Sequence, residues 1–386
     1  MTEQNAENQD EDTPANEAEQ PSPLRSVHTS NFPDLLTALK CSLVVSTYQA
    51  GRLILLRADN GKINTHFRSF NKPMGVAVTN DRISIGTAAE ILEFRNIPAA
   101  ASRVDENRPP DACYLPRSVH FTGDIQIHEM DWGQGVDHTG KLNPKLKDLW
   151  FINTRFSCLC NIHRDYSFVP RWRPRFVSAL APQDRCHLNG LCVIDGIPRY
   201  VTTLGESDEP EGWRSNKATG GIIIDLSTDE IILRGLSMPH SPRWHQGRLW
   251  VLNSGDGGIG IVDQAAGKYE QVAVLPGFTR GFGIRDRFAF VGLSQVRESA
   301  IFSGIKIAQK PEEERWSGVA VVDLSSGEPV AWLRFEDAVQ EVFAVSVLPN
   351  LLWPDLINDN SEMINLSYVL PDESLSEVPD EIRSKS

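Results

Sequence analysis

Three histidines and four arginines are the side chains whose type and spacing could do chemistry in this sequence. His128, His187 and His240 stand 59 and 53 residues apart and account for a third of the nine histidines in the chain. Neutral imidazoles converging on one point suit iron, zinc or copper, and Glu129 beside the first of them is a candidate oxygen ligand. A histidine at a strand end is, taken singly, more often a hydrogen-bonded structural residue than a ligand, so the case rests on the three sharing one register. Arg297 lies close to Ser294 but beside Glu298, whereas Arg243 lies two residues after Ser241 with no acid adjacent, and Arg155 and Arg280 sit beside Thr or Gly and not beside an acid. That favours forked binding of an anionic group, carboxylate, sulfate or phosphate. The alternative is that each arginine crosses to a carboxylate distant in sequence, such as Glu206 or Glu341. Asn189, Ser241 and Asn253 fall at matching places and complete the candidate ligand-binding set.

What must position these residues is a repeat of short strands. In Pro239 to Asp263 an apolar run, a tight turn at Gln246-Gly247, a second run rich in β-branched and aromatic residues, and a glycine-rich turn before a third run read as consecutive antiparallel strands. The second run, RLWVLNS, has counterparts beginning at Ser42, Arg82, Leu149, Arg199 and Arg287. The hairpins LLRADNGKIN, IIDLSTDEII, IVDQAAGKYE and VVDLSSGEPV can be laid on one another, each with turn-forming Asp, Asn, Gly or Ser. Repeated four-stranded units with irregular insertions predict an all-β, six-bladed propeller, with inner strands opening at Met74, His128, His187, His240, Arg280 and Val342.

The chain starts its repeat with a second-type strand, Ser42 to Tyr48, followed by runs at Arg52 to Arg57 and Lys62 to Phe70. It ends on a first-type strand, Val342 to Leu348. Three N-terminal strands completed by one C-terminal strand therefore close the ring without a covalent bond, hiding two edges that invite aggregation. Ile364 to Val369 is a further strand-like piece with no assigned place. In each blade the start of the first strand and the end of the second share one face of the disc, so His128, His187, His240, Arg155, Asn189, Ser241, Arg243, Asn253, Arg280 and Arg297 gather at the mouth of the central channel, where concave sites form.

The formal charge of −13 is concentrated in the tails: residues 1 to 20 carry seven acids and no base, and 372 to 386 carry five acids and two bases. The remaining body carries about −3, which argues against a nucleic-acid footprint. Residues 1–28 and 372–386 read as disordered tails around a propeller spanning 29–371. The N-terminus lacks a secretory or transit pattern, and no apolar run reaches the ~18 residues of a membrane span. The six cysteines show no zinc-like pairing and several lie inside strand runs, so buried free thiols in a reducing cytoplasm are expected.

The runs LWFINTRFSCLC from Leu149, YSFVPRWRP from Tyr166, HLNG from His187, and those at Pro239 to Ser254 and Phe278 to Ser294 resemble an uncharacterised bacterial family of conserved hypothetical propeller proteins. The resemblance covers roughly residues 30 to 370 and implies a fold but no activity. A looser likeness, through His187-Leu-Asn-Gly and the six-blade count, is to gluconolactonase and strictosidine synthase-like propellers. The gluconolactonase kind binds a divalent metal through Glu, Asn and Asp, where this chain places histidines and arginines. Two functions of different class follow. One is a cytoplasmic binding module whose funnel takes a small anionic or peptide-like ligand, without nucleic acid or membrane and with a protein partner left open. The other is a metal-dependent enzyme, hydrolase-like, lactonase-like or oxidative, using the three histidines. Binding is preferred because no nucleophile-and-base pair, phosphate loop or recognised catalytic motif is present.

Overall fold

The expected alternation of short runs and turns folds into six sheets arranged as a ring. In the computed structural model, which describes residues 24–296, 302–380 and 383, each blade contains four consecutive antiparallel strands, and blade 1 joins the two ends of the chain. Blade 1 comprises Ala344–Pro349 inside, then Cys41–Thr47, Arg52–Asp59 and Lys62–Ser69. Blades 2 to 6 have inner strands Val76–Val78, Ile127–Val136, Leu188–Ile194, Pro239–His245 and Phe278–Arg285. The latch is as expected: Ala344–Pro349 runs antiparallel to Cys41–Thr47, with Ser42 opposite Leu348 and Val44 opposite Ser346. Its backbone hydrogen bonds close the ring, and the chain's cysteines stay free and buried.

Tight turns at Asn60-Gly61, Asp195-Gly196 and Gln246-Gly247 put two successive residues at positive φ. That is the twist-matched hairpin geometry that Asn, Asp and Gly tolerate. The ring is narrow because glycine removes side chains where inner strands converge. A Cβ on Gly75 would lie 1.9 Å from the His128 carbonyl oxygen of the next blade, and one on Gly281 would lie 2.5 Å from Val345 N across the blade 6 to blade 1 seam. The apolar core is the interior between blades: Leu43, Val45, Ile54 and Leu56 of blade 1 pack with Phe290, Val319 and Val321 of blade 6.

Two straps depart from the sequence expectations. Ser26–His28, placed in the tail by composition, is a strand paired antiparallel with Glu328–Phe335 at the outer edge of blade 6. The helix Phe32–Leu39 then buries Phe32 and Leu36 completely in the blade 1 and blade 6 core. At the other end Pro354–Leu356 adds a parallel strand outside Ala112–Phe121 of blade 2. It is fastened by Arg57 donating to Pro354 O (2.9 Å) and Arg68 donating to Asp355 (3.0 Å). Each strap therefore covers an outer edge that four strands alone would leave open. Ile364 to Val369 is not a strand: Ser361–Asn365 is helical, its start capped by Asn360, whose side chain accepts from Met363 N. Asp372–Leu375, also placed in a tail, forms one helical turn; residues 1–23 lie outside the described residues. Among the described residues no helix is long and apolar enough to cross a membrane.

Candidate functional site

The three histidines meet where the inner strands enter the channel. His128 and His240 are each the second residue of an inner strand, and His187 immediately precedes one. The His128 ring centre lies 5.0 Å from that of His187, edge to face, and 6.5 Å from that of His240, nearly parallel. All three line a cavity of about 630 Å³ at one mouth of the channel, within the range of small-molecule sites.

Their orientation is fixed from behind. His128 Nδ1 is 2.8 Å from Gln126 O and 2.7 Å from Thr154 Oγ1, whose hydroxyl is 2.6 Å from Leu188 O. His240 Nδ1 is 2.9 Å from Met238 O and 3.0 Å from Ser254 Oγ. A carbonyl can only accept, so both rings carry the proton on Nδ1 and present Nε2 as a bare acceptor. In both cases the carbonyl belongs to the residue two before the histidine, held in the left-handed region (φ 49° at Gln126, 47° at Met238). His187 reaches the same tautomer by donating from Nδ1 to Asp184 Oδ2 at 2.8 Å, and that oxygen also accepts from Trp213 Nε1 at 3.1 Å. With His187 and Asp184 at φ 50° and 46°, uncommon backbone geometry is concentrated around this mouth.

Burial lowers the pKa of His128 and His240 well below the ordinary value, and the Arg280 charge lowers both further. Both are therefore held as neutral acceptors at neutral pH. His128 Nε2 is buried with no hydrogen-bond partner among the described residues.

Arg280 shares this cavity with two other cations, Lys72 and Arg214, of which Arg214 pairs with Glu211 at 2.9 Å. The Arg280 guanidinium carbon lies 3.5 Å from the Phe343 ring centre, and burial lowers its pKa to about 10, with Glu341 opposing. Burial raises the Glu341 pKa, while Arg280 opposes it. Glu341 accepts from Gln49 Nε2 at 2.8 Å. No carboxylate among the described residues comes within ion-pair distance of Arg280, although nineteen other such pairs form. Phe278, Phe343 and Trp213 supply apolar walls, and Asp124, Glu211 and Glu341 add acidic groups to the lining.

The other expected ligand-binding residues are drawn into the scaffold. Arg243 does not line the cavity. It donates to Phe282 O (2.9 Å), Leu191 O (3.1 Å) and Pro242 O (2.8 Å) and forks onto both oxygens of Glu129 (3.2 and 3.1 Å). One side chain thus ties blades 3, 4, 5 and 6 at their inner strands. Burial opposes its charge, but Glu129 outweighs this and the pKa ends above its ordinary value. Glu129, the expected oxygen ligand, is committed to Arg243 and to Leu191 N at 2.7 Å.

Arg155 pairs with Asp124. Asn189 donates to Pro239 O (3.0 Å) and accepts from Thr202 Oγ1 (2.5 Å). Ser241 accepts from Gly281 N (3.2 Å). Asn253 accepts from Ser237 N (2.7 Å) and donates to Asp256 (3.0 Å). Each of these three is a buried inter-strand or turn bond. Arg297 lies outside the described residues.

Among the described residues no group of three or more His, Cys, Asp or Glu side chains is placed to hold a metal ion. The Arg280 charge that depresses the pKa of His128 and His240 would also repel a divalent cation. Sequence reasoning missed Trp213, on a 3₁₀ turn Gly212–Asn216 inserted between the second and third strands of blade 4. The signal available was the length of that insertion, residues 204–220, carrying a tryptophan on the site face.

Two solved structures of similar shape illustrate how far the likeness extends. A chain of a nidogen/laminin complex aligns over 80% of this chain and 99% of its own at 9% identity, with a TM-score of 0.49. A protein of unknown function from Bacteroides caccae aligns over 80% and 98% at 8% identity, with a TM-score of 0.45. No curated protein matches. Residues 30–357, the whole ring with the helix Phe32–Leu39 and the strand Pro354–Leu356 but without the strand Ser26–His28, match a family model, and the chain belongs to that family, described as the domain of unknown function DUF4915.

Proposed function

We propose that this propeller is a binding protein whose funnel takes a small molecule through an anionic group held by Arg280. The observation that carries this is a guanidinium packed on Phe343 with no carboxylate in ion-pair contact among the described residues. A partly desolvated cation of this kind is stabilised by an incoming oxyanion, which supplies the charge-assisted hydrogen bonds that the protein does not. The three Nε2 atoms add acceptors for donor groups elsewhere on the ligand. The test is a thermal-shift series with acetate, benzoate, sulfate and phosphate on wild type and Arg280→Met. Stabilisation of the wild type that is lost in the variant is expected. Equal response of both proteins to every anion contradicts the proposal.

A second proposal, a metal-dependent enzyme, has one observation behind it: all three imidazoles have Nδ1 engaged and Nε2 bare, the tautomer in which histidine binds a metal while its other nitrogen is held by a carbonyl or carboxylate. His128, His187 and His240 would hold the ion, which would supply an activated water. Elemental analysis of protein purified without a chelating tag tests this. Near-stoichiometric iron, zinc or copper, lost in His187→Ala, would favour it over simple binding.

A further inference from the structure

Resting on the anion-binding proposal, the ligand class can be narrowed by asking which groups the rest of the cavity is prepared to meet. Two of the three buried polar atoms of lining residues that have no hydrogen-bond partner among the described residues are acceptors, His128 Nε2 and Asp184 Oδ1, and the third, Arg214 Nε, is a donor on a guanidinium already paired with Glu211. The matching atoms of His187 and His240 belong to rings whose Nδ1 is already engaged. A ligand filling this space therefore brings several hydrogen-bond donors besides its anionic group.

Those donors are neutral. An ammonium group at the imidazoles would be desolvated and would lie within the field of Arg280, the two causes, burial first, that already disfavour the charged form of both His128 and His240. A hydroxyl meets no such penalty, because it donates one proton to an imidazole without adding charge. The walls are aromatic: Trp213 packs against His187 with ring centres 4.5 Å apart, Phe278 against His240 at 5.5 Å, and Phe343 against His128 at 5.1 Å. Aromatic faces flanked by hydrogen-bonding groups fit a ring with an apolar C–H face and a hydroxylated edge. Asp124, Asp184, Glu211 and Glu341 share the lining with Lys72, Arg214 and Arg280, four acids to three bases, so the space accommodates one anionic group, at Arg280, and disfavours a string of them.

We infer that the funnel binds a polyhydroxylated ring bearing a single carboxylate, an acidic monosaccharide of the hexuronate type, with the carboxylate on Arg280 and the hydroxyls on the imidazole Nε2 atoms.

The experiment is isothermal titration calorimetry of the full chain with three probes of similar size: glucuronate, glucose and cyclohexanecarboxylate. Glucuronate should bind at least about tenfold more tightly than either of the others, since each lacks one set of hydrogen-bonding groups that the site would leave unpaired. Arg280→Met should bring glucuronate down to the level of glucose. The comparison of the three probes on wild type stands alone if that variant does not fold. Cyclohexanecarboxylate binding as tightly as glucuronate, with the same dependence on Arg280, would overturn the hydroxyl assignment and leave anion binding standing. Glucose binding as tightly as glucuronate would overturn the role of the carboxylate and with it the parent proposal. Binding of none of the three, while benzoate or sulfate still stabilises the protein through Arg280, would overturn the sugar class alone.

Discussion

Replacing Arg243 by Met should destabilise the ring without altering the funnel. The side chain makes three bonds to carbonyl oxygens on blades 4, 5 and 6 and a two-pronged pair with Glu129 on blade 3. Breaking a fully buried pair from one side costs ~3–5 kcal/mol because the other charge is stranded, whereas an exposed pair is worth ~0–1 kcal/mol. The side chains of Arg243 and Glu129 retain 31% and 16% of their exposure, so the pair lies between these limits and nearer the buried one. About 3 kcal/mol is expected for Arg243→Met. Glu129→Gln should cost less, about 2 kcal/mol, because the arginine keeps its three carbonyl acceptors. The double variant should fall short of the sum by about 1–2 kcal/mol, the signature of direct coupling. Urea unfolding monitored by tryptophan fluorescence measures all three. A loss below about 1 kcal/mol in Arg243→Met, or strict additivity in the double variant, would refute the claim that this residue is the tie between blades.

Further outcomes follow from the same contacts. The unfolded chain protonates histidines near pH ~6.5 while buried His128 and His240 stay neutral to well below it, so below that pH the unfolded state binds more protons and stability falls on acidification. The slope should approach ~1.4 kcal/mol per pH unit for each ring, and His240→Asn should remove one such contribution from pH-dependent urea midpoints. Burial raises the Asp131 pKa to about 6, so between pH ~4 and 6 it is the folded state that holds the extra proton and Asp131 opposes the histidines. Asp131→Asn should therefore steepen the acid loss in that window, and an unchanged slope would contradict it. Burial raises the thiols of Cys41, Cys113, Cys186 and Cys192 to about 12. A thiol-specific colorimetric reagent at pH 8 should find them unreactive in the native protein and reactive in guanidinium. Asp184→Ala should free both His187 and Trp213, costing about 1–3 kcal/mol of stability and shifting tryptophan emission; unchanged emission would count against the shared bond.

How much of this could be read from the residues differs between scaffold and site. The blades and the latch were legible because strand period and turn chemistry are local, and a second-type strand opening the repeat requires a first-type strand to close it. The straps were not: Ser26–His28 and Pro354–Leu356 are three residues each, too short for a period, and they become strands only because an outer edge is there to pair with. The helix Phe32–Leu39 shows its buried Phe32, Leu36 and Leu39 at helical spacing, but eight residues including a proline give a weak signal beside many strands. At the site, the histidines could be placed because strand register carries them to one face. Arg243 and Arg280 look alike in sequence, each on an inner strand with no acid close by. They part only in three dimensions, where Glu129, 114 residues away, meets Arg243, and no carboxylate among the described residues pairs with Arg280. Trp213 entered from an inserted loop, whose path strand periodicity does not fix.

The claim that Arg280 anchors an anionic group is tested most directly by soaking crystals of the full chain in selenate and locating selenium by anomalous diffraction. A selenium peak within contact distance of the Arg280 guanidinium, beside Phe343 and facing the three histidines, and missing from Arg280→Met crystals, is the predicted result. Selenate bound only outside the funnel, or at the same place in both proteins, would contradict it.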